Sequence, residues 1–219
     1  MKNNLSNIKK SKYYLDKNEC IAIPTETVYG LAGNAYSDKA TLKIFKLKKR
    51  SKKNPLIVHY NNLQMLGKDC FTNPEFHKLY KKFCPGPITF VLKLKNNSNI
   101  SKNVTNNKKT LAIRFPNHPL TKKLLSNLKY PLAAPSANIS SKISAVSKED
   151  VQEEFGKRIK FILDGGRSKI GLESTIISLV HRPKILRLGG MERIKINRIL
   201  KKNLIYSKIN KKITVPGQS

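Results

Sequence analysis

One stretch limits the folds open to this chain more than any other: residues 20–50, CIAIPTETVYGLAGNAYSDKATLKIFKLKKR, continued by SKKNPLIVHY. The apolar run Cys20 to Ile23 suits a buried strand, and Pro24 ends it because proline has no amide hydrogen to give a ladder. Thr25, Glu26, Thr27 and Tyr29 then crowd hydrogen-bonding groups onto the strand end ahead of Gly30, as a binding site requires. Ser37 or Asp38 can cap a helix whose apolar positions Leu42, Ile44, Phe45 and Leu47 carry it to Lys48 and Arg50. A second apolar strand, Leu56 to Val58, follows Pro55 and delivers His59. From the residues alone this is a βαβ piece whose helix ends in either a binding pair or a solvated charge run.

The rest of the chain alternates helical patterns with short apolar runs. Helices are expected over Leu5 to Asp16, from Asn73-Pro74 through Phe83, from His118-Pro119 to about Leu128, from Ser147 to near Gly156, and over Met191 to Leu200, with a short helical connection after His59. Strands are expected over Ile88 to Leu94, Leu111 to Phe115, Pro131 to Ala134, Phe161 to Leu163, Ser174 to Val180 and Lys184 to Leu188. The polar segment Lys95 to Lys109 reads as a mobile loop, and Ile139 to Ser147 as a serine-rich one. Such alternation specifies an α/β or α+β domain with a mixed, twisted sheet. A chain of 219 residues suits one domain, residues 1–200, followed by a basic tail, 201–219.

Composition excludes several classes. No window approaches the roughly 18 uninterrupted apolar residues of a membrane span, and MKNNLSNIKK lacks the apolar core of an export signal. Cys20, Cys70 and Cys84 are too scattered for a disulfide framework or a metal knuckle, which fits a reducing cytosol, and the four histidines lack ligand spacing. The formal charge of +31 favours polyanions. Only 8 of the 44 basic residues are Arg, however, and Lys, Asn and Ile are abundant, so compositional drift accounts for the charge as well as a selected RNA surface does. Gly166 to Gly171 has phosphate-loop spacing, but Leu172-Glu173 follows where Lys and Ser or Thr would be needed.

The motifs PTETVYGL, K-x-R and PLIVH recur with CPGPITFVL (Cys84 to Leu92), TLAIRFPNH (Thr110 to His118), APSANIS (Ala134 to Ser140), DGG with GLESTI (Asp164 to Ile176), and ILRLGG (Ile185 to Gly190). In this order they resemble the threonylcarbamoyl-AMP synthase, or YrdC-like, family over roughly Ile8 to Leu200. The resemblance implies a twisted, mixed open sheet with a concave basic face. It also implies ligation of L-threonine, bicarbonate or carbon dioxide, and ATP into threonylcarbamoyl-AMP with release of pyrophosphate, toward t6A modification of tRNA. By the same resemblance Lys48 and Arg50 are catalytic, and Lys48, Arg50, Asn54, Thr110, Ser136, Asn138, Ser144 and Arg187 meet ATP. Thr27, His59, Arg114, the Ala134 backbone and Ser174 would meet threonine. Mg2+ is expected to arrive with ATP, held mostly by its phosphates, with no organic cofactor. The remaining expected partners are tRNA and the downstream t6A transferase machinery, in the cytoplasm.

The chemistry of these residues is compatible with those roles. Arg50 can grip two phosphate oxygens and Lys48 can add a compact charge, together offsetting charge that develops at the α-phosphate. Arg114 stands alone in an apolar strand and needs an anion, either a substrate carboxylate or Glu26 or Glu173. His59 can be a satisfied core histidine or a substrate contact; Ser174 can close a turn; Glu173 can orient neighbours or bind a cation. Two positions depart from the family pattern, Leu188 in place of a proline and Ser141 in place of a glycine, and Thr214 to Gln218 resembles the start of a linker to a second domain. Two rival readings accompany the ligase. One is a catalytically weak RNA-binding YrdC-like protein; the other is a carbamoyl-transfer domain of the hydrogenase-maturation type, whose zinc-finger cysteines this sequence lacks.

Overall fold

The computed structural model describes residues 2–206. The linker-like stretch Thr214 to Gln218 lies outside them. Helix α1 (Lys2–Asp16) leads into β1 (Ile21–Ile23) and β2 (Gly30–Asn34), followed by α2 (Asp38–Lys48) and β3 (Ile57–His59). Then come α3 (Leu63–Asp69), α4 (Pro74–Phe83), β4 (Ile88–Lys93), α5 (Lys102–Thr105) and β5 (Thr110–Arg114). The chain continues through α6 (Pro119–Ser126), β6 (Leu132–Ala133), α7 (Lys148–Phe155), β7 (Thr175–Ser178), β8 (Lys184–Arg187) and α8 (Arg193–Leu200).

The eight strands form one mixed sheet in the order β1-β2-β6-β3-β5-β4-β7-β8. Pairing is parallel for β3 with β5 and for β4 with β7, and antiparallel elsewhere. Alternation along the strands separates two faces. Val58, Phe90, Ile113, Ile177 and Ile185 enter the main core with Phe76, Leu79 and Ile196 from α4 and α8. On the other face, Ile21, Ile23, Ala32 and Leu132 pack against Ile8 and Leu15 of α1 and Leu124 and Leu125 of α6. Further along that face Ile57, Val91, Ala112, Ile176 and Leu186 form a separate apolar strip. Leaving one such core side chain as Ala would cost about 2–5 kcal/mol.

Several local signals act as their chemistry requires. Ser37 caps α2 through the Ala40 amide, Asn73 caps α4 ahead of Pro74, and Ser147 with Asp150 forms a reciprocal capping box on α7. Three expectations are corrected. Strand β2 was not anticipated, because Gly30, Ala32 and Gly33 carry no strand-forming side chains; at Gly33 an added Cβ would stand 3.3 Å from Ile44 of α2, so a small residue is what lets helix and strand approach. Residues 95–109 are not simply a mobile loop, because Ile100 and Val104 are buried in the main core and α5 forms within them. Phe161 to Leu163 lies along β1 through the Ala22–Ile162 bridge without becoming a ladder.

Candidate functional site

Parallel pairing sets His59 directly opposite Arg114, so the C-terminal ends of β3 and β5 aim both side chains into one open cleft of about 470 Å³. Seven residues that the resemblance assigns to ATP or threonine lie on its wall: Arg50, His59, Arg114, Ala134, Ser136, Ser174 and Arg187. Thr25, Val28, Tyr29, Gly30, Ile57, Pro135 and Glu173 complete it. The motifs thus come from distant parts of the chain to one place. Tyr29 ties two of them, donating its hydroxyl to the Gly166 carbonyl at 2.8 Å and accepting from the Gly165 amide at 3.1 Å. Gly189 is needed for another tie: a Cβ there would stand 2.1 Å from the Glu173 carbonyl oxygen.

Other expected site residues stand behind the wall or elsewhere. Lys48 is buried, and its ammonium donates to the Ser136 and Asn138 carbonyls at 2.5 Å each and lies 3.3 Å from Asn138 Oδ1. Three donors meeting three protein acceptors make Lys48 the clamp of the loop that presents Ser136. Burial first, and the Arg50 guanidinium second, push its pKa down to about 7. Asn138 supports the same loop by donating to the Ile139 and Lys142 carbonyls at 3.0 and 2.6 Å. Asn54 is buried, and its carbonyl accepts from Arg50 Nε at 3.1 Å.

Thr110 sits at the opposite end of β5 from Arg114 and lines a separate hollow with Lys108, Ser178 and Lys184. Thr27 is buried and lies 2.8 Å from the Thr25 hydroxyl, while Thr25 occupies the wall. Nothing in the spacing distinguished those two threonines; the turn did, because Thr25 Oγ1 closes it onto the Val28 carbonyl at 2.6 Å.

Two arginine–glutamate pairs mark the cleft. Arg114 Nη2 meets Glu26 Oε1 at 2.8 Å, and the backbone amide of Asn117 holds Glu26 Oε2 at 2.9 Å. Arg187 Nη1 meets Glu173 Oε2, while Ser144 donates to Glu173 Oε1 at 3.3 Å. Arg50 keeps its place by donating from Nη2 to the Pro55 carbonyl at 3.0 Å as well as to Asn54. Burial lowers its pKa to about 10, with Arg187 adding to the effect and Glu173 opposing it, so Arg50 is a cation at neutral pH. His59 is different. Burial, reinforced by Arg114, lowers its pKa well below the ordinary 6.5, so it is neutral, and its Nδ1 has no hydrogen-bond partner.

Among the described residues no group of three or more His, Cys, Asp or Glu side chains could hold a metal ion. Both cleft carboxylates are already taken by arginines.

A cleft at strand ends lined by three guanidinium groups and by Ser136 and Ser174 has the chemistry to take a small molecule carrying anionic groups. The Sua5/YciO/YrdC family model, described as telomere recombination, matches residues 13–189, and the chain belongs to that family. It is 42% identical over 188 residues to the threonylcarbamoyl-AMP synthase of Bacillus subtilis (strain 168), covering 85% of this chain and 54% of that protein. It is 39% identical over 191 residues to the enzyme of the same name from Pyrococcus abyssi (strain GE5 / Orsay), covering 85% of this chain and 55% of that one. The chain thus spans about half the length of these curated relatives. A crystal structure of P. abyssi Sua5 complexed with L-threonine superposes with a TM-score of 0.91 at 36% identity, covering 96% of this chain and 63% of that one. The mixed open sheet with flanking helices is the fold the motifs implied.

Proposed function

We propose that residues 1–200 form the catalytic domain of a threonylcarbamoyl-AMP synthase. One observation carries this reading. Arg50, Ser136 and Arg187 share a single cleft with His59, Arg114 and Ser174, so cations for a triphosphate and partners for an amino acid zwitterion lie side by side. The names of the relatives and the threonine in the P. abyssi crystal support it.

In this reading Arg114 receives the threonine carboxylate with donors left over from Glu26, and the neutral His59 offers its ring nitrogen to a polar substrate group. Threonine's amine joins bicarbonate with loss of water, or carbon dioxide with loss of an amine proton to solvent, to give a carbamate. A carbamate oxygen then attacks the α-phosphorus of ATP, and pyrophosphate leaves. Arg50 and Arg187 offset the charge that builds up on the phosphoryl oxygens. Holding both reactants together supplies most of the rate, with no dedicated base required. Lys48 and Asn138 act by fixing the Ser136 loop. Mg2+ accompanies the nucleotide on its own phosphates, and the product feeds t6A formation on tRNA in the cytoplasm.

The test is incubation with ATP, L-threonine and 13C-bicarbonate. A product with the mass of threonylcarbamoyl-AMP and one added mass unit is expected; ATP left intact by a folded sample would contradict the reading. The charge of +31 favours one further property, salt-sensitive RNA association. It would be read as a binding constant that weakens steeply between low and physiological salt.

A further inference from the structure

Two side chains assigned by resemblance to the nucleotide meet on a protein carboxylate. Glu173 accepts from Ser144 Oγ at 3.3 Å and pairs with Arg187. Burial alone would raise this carboxyl's pKa. Arg187, Ser144 and Lys48 together hold it below the ordinary carboxylate range. Every one of these neighbours donates a hydrogen bond or carries positive charge, an environment built for an anion and hostile to a cation.

We propose that this is an oxyanion pocket for a phosphoryl group, which Glu173 fills in the nucleotide-free protein and vacates when the nucleotide enters. The inference rests on the nucleotide reading of the cleft. A phosphate and an ionised carboxylate cannot share one set of donors, since like charges a few ångströms apart repel and neither could be fully hydrogen-bonded.

The surroundings are arranged for exchange. Arg187 does not depend on Glu173 for its position: Nε and Nη2 both donate to the Ser174 carbonyl, at 3.2 and 2.9 Å. The backbone of Glu173 is pinned too, its carbonyl accepting from the Gly190 amide at 2.8 Å with Gly189 packed against it. Only the Glu173 side chain has to move. That side chain is 32% accessible, and Ser144 meets it through a rotatable hydroxyl that can serve a phosphoryl oxygen equally well.

The experiment compares inorganic pyrophosphate binding to the wild-type chain and to Glu173→Gln by calorimetry in metal-free buffer. Glutamine keeps the shape and removes the charge, and thermal melts establish that both proteins are folded. Glu173→Gln is expected to bind pyrophosphate about tenfold more tightly, equivalent to about 1.4 kcal/mol. Glu173→Ala should show the same direction. Equal or weaker binding by both variants overturns the proposal, making Glu173 an orienting partner of Arg187. A loss of affinity seen only when magnesium is added also overturns it, in favour of a metal ligand. In either case, wild-type binding leaves the nucleotide reading standing. Failure of wild type and variants alike to bind pyrophosphate overturns both.

Discussion

The cleft contains two arginine–glutamate pairs that look alike in a list of contacts and differ in kind. Arg114 and Glu26 are almost fully enclosed, with side chains 5% and 9% accessible, and the second oxygen of Glu26 is held by a backbone amide that cannot swing away. Arg187 and Glu173 are 15% and 32% accessible, and the second oxygen of the carboxylate is met by the Ser144 hydroxyl. Both arginines face the cleft, but Glu26 is a fixed brace for Arg114 whereas Glu173 stands at the open surface beside Arg187. Burial and the nature of the third partner, rather than the ion pair itself, decide whether the glutamate is held or free to move.

The largest expected effect comes from breaking the enclosed pair. Glu26→Ala leaves a buried guanidinium without its counter-ion and should lower unfolding stability by about 3–5 kcal/mol, whereas Glu173→Ala should change it by about 1 kcal/mol or less. Urea denaturation of the two variants reads the difference directly, and equal losses would erase the distinction.

At the more open end, Arg50→Ala should slow pyrophosphate release by about 10²–10³-fold while leaving threonine binding unchanged. Because Arg50 also holds the Asn54 and Pro55 carbonyls, a stability loss of about 1–2 kcal/mol should accompany it. At the other end, Arg114→Lys keeps the charge but loses the planar fork. It should raise KM for threonine about tenfold with little change in KM for ATP. Steady-state kinetics with each substrate varied in turn would show the two ends respond separately, or that they do not.

The smallest effect concerns the clamp behind the wall. The folded pKa of Lys48 is depressed to about 7 from an ordinary 10.5. The unfolded chain therefore holds a proton between those values that the folded chain has released. Stability attributable to Lys48 is then full above 10.5, falls as pH drops toward 7, and is flat below. Between pH 7 and 9, Lys48→Met should remove a slope on the order of 1 kcal/mol per pH unit in urea-denaturation stability. An identical slope in wild type and variant would remove Lys48 as its source.

Much of this was legible in the sequence, and the exceptions have physical causes. Capping residues, prolines and apolar runs exposed most helices and strands because each acts locally. Strand β2 escaped because Gly and Ala make it by permitting close approach, a property of the partner helix as much as of the strand. The polar-looking residues 95–109 were misread because two apolar positions, Ile100 and Val104, outweigh the many exposed Asn and Lys around them. In the site, motif order pointed to strand ends that line one cleft, and Arg114 was recognisable as needing an anion. Which anion it meets, which of Thr25 and Thr27 reaches the wall, and that Lys48 faces carbonyls are all set by side-chain direction after folding, which spacing does not encode.

The most direct measurement of the central claim is pyrophosphate release from ATP in bicarbonate buffer by the purified chain, with L-threonine, with L-serine and with no amino acid. Release that depends on L-threonine, and falls sharply with L-serine, is the predicted result. Release that is independent of the amino acid, or no release from a folded sample that binds ATP and threonine, would contradict it.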